Sequence, residues 1–137
     1  MLVNFPLFLI SFAIYNMIAF LTPGVLWSDT LVVVPMQSGA TWTITLGDML
    51  IGVSLILLFI EMIKATRTSS RALFDHLLST VVFIGALVEF LLVPRAATSV
   101  FAIILLMALI DVLAGWSVSL RAARRDLTVE SMPENTV

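Results

Sequence analysis

Asp111 is the only ionisable side chain in the apolar stretch Thr98–Leu120. A carboxyl at membrane depth costs about 2.5–3.5 kcal/mol on insertion scales, so it must face protein and find a partner. Two chemistries suit it: a structural hydrogen bond to a neighbouring hydroxyl, made in the protonated form, or a site that takes up and releases a proton or cation. Glu89, in a second apolar stretch, offers the same choice near its outer end, within reach of Tyr15, Asn16 or Arg95. Counting outward from the short connections places Ser11, Ser54, Ser79 or Thr80, and Asp111 at one height, a candidate polar or proton-binding layer near the midplane.

The remaining titratable groups have simpler readings. Glu61 falls near Lys64 on its own helix and Arg71 across a loop, as an inner-boundary ion pair would. Asp48 suits a helix N-cap. His76, beside Asp75 at the start of a helix, reads as a headgroup-level polar pair or, alternatively, a proton relay. It is the only histidine, and there is no cysteine. A bis-histidine haem within one chain, a thiolate metal site and CxxC redox chemistry are thereby excluded. No nucleophile–base pair, phosphate-binding glycine loop or metal-ligand cluster is present, so the reading assigns no catalytic residue, metal or cofactor.

The elements that position these residues follow from composition. Of 137 residues, 61% are hydrophobic and 12% charged, against roughly 45–50% and 25% in a soluble domain. Lipid must therefore solvate much of the surface. Four apolar spans are predicted, over residues 2–21, 48–64, 71–93 and 98–120, bounded by breakers such as Thr22-Pro23-Gly24 and Pro94. The first lacks a basic n-region and a clear cleavage site, and reads as a retained helix rather than a signal peptide. Lys64, Arg67, Arg71, Arg121, Arg124 and Arg125 fall on one side of the spans and Arg95 alone on the other. This bias predicts that both termini are cytoplasmic. Residues 121–137, basic and then acidic, read as a disordered cytoplasmic tail.

The outer loop, 22–47, carries two strand signals: the β-branched run Leu31–Val34 and the alternating Thr41–Leu46, joined by a turn over 37–40. They predict a β-hairpin with Pro35 on an edge. Its face of Trp42, Ile44 and Leu46 is a candidate partner contact, together with Trp27. Trp27 and Trp42 suit the outer headgroup zone, Trp116 the inner one, and Arg121, Arg124 and Arg125 can hold anionic headgroups. Within the spans, small and polar residues recur on one face each: Asn4, Ser11, Tyr15 and Thr22; Gly47, Ser54 and Glu61; Ser79, Ala86 and Glu89; Ala108, Asp111 and Gly115. Such seams are how membrane helices approach one another. The fold class read here is an all-α, antiparallel four-helix transmembrane bundle with a small outer β-hairpin.

Four helices with a tryptophan-bearing hairpin in the first outer loop resemble the claudin plan, although the claudin loop's cysteine pair is missing. Small multidrug transporters also have four short helices, but their key glutamate lies in the first, where this chain has no acid. The segments LVVVPMQSGATWTITLGD, LFIEMIKATRTSSR and LVEFLLVP are similar to small uncharacterised four-helix inner-membrane proteins of proteobacteria, a resemblance that implies no activity or site. From the residues themselves the expectation is an accessory or assembly subunit, not an enzyme, with lipid and a protein partner or its own copies as contacts and no nucleic acid. The alternative is an oligomeric proton-linked transporter or channel using Asp111 and Glu89.

Overall fold

The computed structural model describes residues 5–67 and 70–131. In chain order these form helix α1 (Phe8–Leu21), strands β1 (Thr30–Pro35) and β2 (Thr41–Thr45), helix α2 (Leu46–Ala65), helix α3 (Ser70–Leu92), a 3₁₀ turn (Pro94–Ala96) and helix α4 (Ser99–Glu130). Three of the helices, α2, α3 and α4, are long and apolar enough to cross a membrane, whereas α1 is a shorter apolar helix.

α1 begins later than the span read over 2–21, because Pro6 constrains the backbone ahead of it; residues 2–4, with Asn4 among them, lie outside the described residues. It ends where Thr22 turns its amide and its hydroxyl back onto the carbonyl of Ile18, at 3.3 and 2.6 Å. Pro23 cannot continue the helix, and Gly24 takes a φ of +105°.

The strands pair antiparallel as expected, with Val34 opposite Trp42 and Val32 opposite Ile44, and an irregularity at Leu31. Met36 N–H donates to the Ala40 carbonyl at 2.8 Å to close the turn. Gly39 reaches its φ of +84° there, a conformation that disfavours other residues. The hairpin feeds directly into α2. Leu46 N–H donates to the Asp29 carbonyl and Gly47 N–H to that of Trp27, both at 2.9 Å. Asp48 N–H is received by the Thr45 hydroxyl, and the Asp48 carboxylate accepts from the Thr45 amide at 2.9 Å. The first three amides of the helix are thus satisfied by the hairpin and its approach.

Two expectations are corrected here. The N-cap is Thr45, whose backbone is extended, and Asp48 is its reciprocal partner three residues on, a capping box. Leu46, counted with the strand, opens the helix instead. A third correction concerns the end of the chain. α4 does not stop at Leu120 but continues to Glu130, because Arg121 to Arg125 are good helix formers and no breaker occurs before Pro133. Residues 132–137 of the expected disordered tail lie outside the described residues.

α4 packs against each of the other three helices. Ser11 meets Ser54 and Leu7 meets Glu61, so α1 and α2 run in opposite directions. Thr80 meets Trp116 and Phe90 stacks on Phe101, so α3 and α4 do likewise. The core gathers Phe8, Phe12, Tyr15, Leu50, Leu58, Ile104 and Leu105 around Phe101, which has no exposed surface. Outward faces are equally apolar: Ile56, Phe59, Val81 and Leu106 are each about 60% exposed. Helices apolar on all sides belong in a core too large for this chain or in lipid.

Candidate functional site

Seven residues apart on α2, Gly47, Ser54 and Glu61 share a face, and all three are buried. Ser54 donates one hydrogen, with the Leu50 carbonyl at 2.8 Å and the Ser11 oxygen at 2.9 Å both facing it. Both serines are wholly buried. Two turns further along, one oxygen of Glu61 accepts from the amide of Leu7 at the head of α1. Its other oxygen lies 3.2 Å from Lys64 Nζ, which also donates to the Phe5 carbonyl at 3.0 Å. Glu61 therefore holds the start of α1 as well as pairing with Lys64. The Arg71 side chain, its other expected partner, lies outside the described residues.

Asp111 is buried at 6% exposure on the inward face of α4. Ser79 of α3 is the hydroxyl beside it, and α2 brings Glu61 and Lys64 to the same end of the bundle. One turn along α4, Gly115 lies under the imidazole of His76. A Cβ at position 115 would stand only 2.7 Å from His76 Cε1. His76 is buried at 8% exposure, and its Nε2 has no partner among the described residues. Asp75 Oδ1 is likewise buried and unpartnered. The acids Glu61 and Asp111, the Lys64 ammonium and the His76 ring thus come from three helices to the half of the bundle away from the hairpin.

Thr80, considered with Ser79 for the layer, serves another purpose. Its hydroxyl donates to the His76 carbonyl at 2.7 Å and accepts the Trp116 indole N–H at 3.0 Å. Trp116 is thereby a clamp between α4 and α3. Glu89 is not brought to Asp111. It accepts from Asn16 Nδ2 at 3.2 Å, towards the other end of α3. Arg95 bypasses Glu89 too, donating to the Ala19 carbonyl at 2.8 Å and lying over the Phe20 ring. Tyr15, with no exposed surface, meets the Arg95 carbonyl and the Thr98 hydroxyl, each at 2.7 Å.

The hairpin residues divide. Trp27 turns inward and stacks on Tyr15 with ring centroids 4.5 Å apart. Ile44 and Leu46 are half-buried, and Trp42 is 55% exposed beside Val34, its cross-strand partner. At the end away from the hairpin, Arg121, Arg124 and Arg125 extend along the exposed part of α4.

Glu61 pairs with Lys64 as expected, but the expected layer around Asp111 includes neither Glu61 nor His76, both of which are buried. Glu61 had a signal in its heptad spacing from Ser54, and His76 in standing three residues before Ser79, both spacings that share a helix face. Among the described residues, no group of three or more His, Asp or Glu side chains is placed to hold a metal ion. The arrangement can hold or exchange protons, and can fix helix register through hydrogen bonds.

A helical fold with three elements able to span a bilayer, a short fourth helix and a hairpin defines a helical membrane protein. Comparison with protein-family models, curated proteins and solved structures finds no match to this chain.

The contact of His76 with Gly115 makes a signed prediction. Gly115→Ala should destabilise the protein by about 1–2 kcal/mol through overpacking. In a His76→Ala background the same change should stabilise it by up to about 1 kcal/mol, since alanine is the better helix former. Thermal unfolding in detergent across the double-mutant cycle measures the difference; equal effects in both backgrounds would dismiss the contact.

Proposed function

We propose that this chain is an inner-membrane protein whose four helices form an antiparallel transmembrane bundle, with both termini in the cytoplasm. It acts as an accessory or assembly subunit without catalytic activity. α1 supplies the fourth span despite its length, because its contacts run from Glu61 at one end of α2 to Arg95 at the turn before α4. The orientation rests on the six basic residues of one side against Arg95 on the other. Cysteines introduced at Ser38 and at Ser131 should label from opposite sides of the membrane, Ser38 from outside; labelling from one side alone defeats the topology.

The observation that carries the subunit reading is the hairpin. It is held firmly to α2 by the Leu46 and Gly47 amides and the capping box, yet on the face that Trp42 shares with Val32 and Val34 it leaves Trp42 55% and Val32 48% exposed. Two-stranded hairpins are marginal in water on their own, and an exposed apolar patch on a fixed support is what a protein partner with its own apolar outer surface would cover. Trp42→Ser should leave membrane insertion intact and weaken association with the co-purifying partner about tenfold or more, as loss of an aromatic anchor does. Unchanged co-purification in mild detergent would reduce the hairpin to a cap on the bundle.

A second reading, an oligomeric proton-linked carrier, draws on Asp111. Its setting beside Glu61, Lys64 and Ser79 favours these residues, rather than Glu89, as its associates. Asp111→Asn keeps size and hydrogen bonding but cannot titrate; Asp111→Leu removes both. The structural role expects Asn to be tolerated in the cell and Leu to cost on the order of 1 kcal/mol by stranding Ser79. A folded, inserted Asp111→Asn protein that has lost its cellular role would put the carrier first.

A further inference from the structure

We propose that the inner end of the bundle holds a binding site for the phosphate group of an anionic phospholipid. A cleft of about 840 Å³ opens between the end of α2, the first turn of α3 and the extended part of α4. Arg67, Arg121 and Arg125 line it, with Asp126 as the one carboxylate, so three guanidiniums face a single acid. Among the described residues none of the three arginines forms an ion pair within the protein. The Ser119 hydroxyl on the same wall makes no hydrogen bond among the described residues and is available as a donor. Against these stand Asp126 and the carbonyl end of α2, which carries partial negative charge. The positive groups outnumber both.

Guanidinium groups present paired N–H donors whose geometry matches phosphate oxygens, which favours phosphate over a simple halide. The depth selects the source. From its N-cap at Thr98 to Arg121, α4 rises about 35 Å at 1.5 Å per residue, just more than the roughly 30 Å hydrocarbon thickness. The arginines therefore sit at the level of the inner headgroups. Leu73, Val118 and Ala122 give the cleft an apolar wall continuous with the lipid-facing surface, where an acyl chain would lie. Arg124, beside Arg125 in sequence, does not line the cleft. The site thus differs from a general basic rim in its membership: Arg67 belongs and Arg124 does not.

The inference rests on the spanning reading, which the cysteine-labelling experiment tests separately. The full chain in a neutral detergent would be titrated with short-chain phosphatidylglycerol, with phosphatidylcholine and with inorganic phosphate, bound molecules being counted by native mass spectrometry. Phosphatidylglycerol should bind preferentially. Arg67→Gln, Arg121→Gln and Arg125→Gln should each lower its affinity about fivefold, the contribution of one basic residue at a membrane surface, whereas Arg124→Gln should change it less than twofold. Ala122→Trp, which fills the cleft without altering charge, should weaken binding as well, and circular dichroism checks that each variant keeps its helices. Equal losses from Arg124→Gln and Arg121→Gln would overturn the site in favour of diffuse charge. Absence of any preference for phosphatidylglycerol, or inorganic phosphate binding as tightly as the lipid, would overturn the lipid as its ligand.

Discussion

Ser54 has no exposed surface, and its hydroxyl can be satisfied only by its own helix or by Ser11 of α1. In apolar surroundings an unmet polar group costs several kcal/mol, so such pairs fix how far one helix may slide along another. The same constraint acts wherever α1 meets the rest. Glu61 accepts the Leu7 amide below the serine pair, and Tyr15 reaches the Arg95 carbonyl and Thr98 hydroxyl above it. Between these points the contact is aromatic, with Phe12 and Tyr15 against Phe101 at centroid distances of 5.3 and 4.8 Å. Polar pins set the register, and the rings fill the space that the register defines.

That division explains how the loop over residues 22–47 becomes an ordered part of the molecule. Trp27 stacks on Tyr15, and its carbonyl receives the Gly47 amide. Gly47 is also where Val100 of α4 comes close, at 2.7 Å from the position a Cβ would take. One short segment thus links the loop, the head of α2, the top of α1 and the first turn of α4. The hairpin beyond it is carried on this junction rather than on packing of its own, which leaves its apolar strand residues uncovered.

Much of this was legible because local rules govern it. Thr22-Pro23-Gly24 and Pro94 end helices for backbone reasons, and alternation with β-branched residues gave away the hairpin. The small-residue seams marked the faces that are in fact buried at Ser11, Ser54, Ser79 and Asp111. Where structure and sequence pattern part, backbone preference overrides hydropathy. The chain turns polar after Leu120, but Arg121 to Arg125 favour helix as well as the residues before them, and α4 runs on to Glu130. Asp48 was assigned the cap because it is acidic and precedes an apolar run; Thr45, three residues earlier, has the extended backbone that a cap needs. The company of Asp111 was harder to find. Glu61 and Lys64 come to its end of the bundle from α2, and the rotation that brings them there is decided by tertiary packing, which no local spacing encodes.

The placement of the acids bears on the choice between the two functional readings. Ser79 stands beside Asp111, while Glu89 lies ten residues further along α3, about 15 Å away along the helix axis. Between the two levels the interior is filled by Phe12, Phe101, Ile104 and Leu105, all nearly without exposed surface. Protons move along chains of titratable groups or water, and none of these four side chains titrates. Glu89 with Asn16 and Asp111 with its neighbours are therefore two separate polar sites, each explicable as a pin between helices. A carrier built from this protein would have to run its path between protomers, past the outward faces of the helices. Those faces carry Leu, Ile, Phe and Val, a surface suited to lipid or to a neighbouring apolar helix rather than to a wet channel. The physical weight of the arrangement falls on polar groups that hold the helices in register.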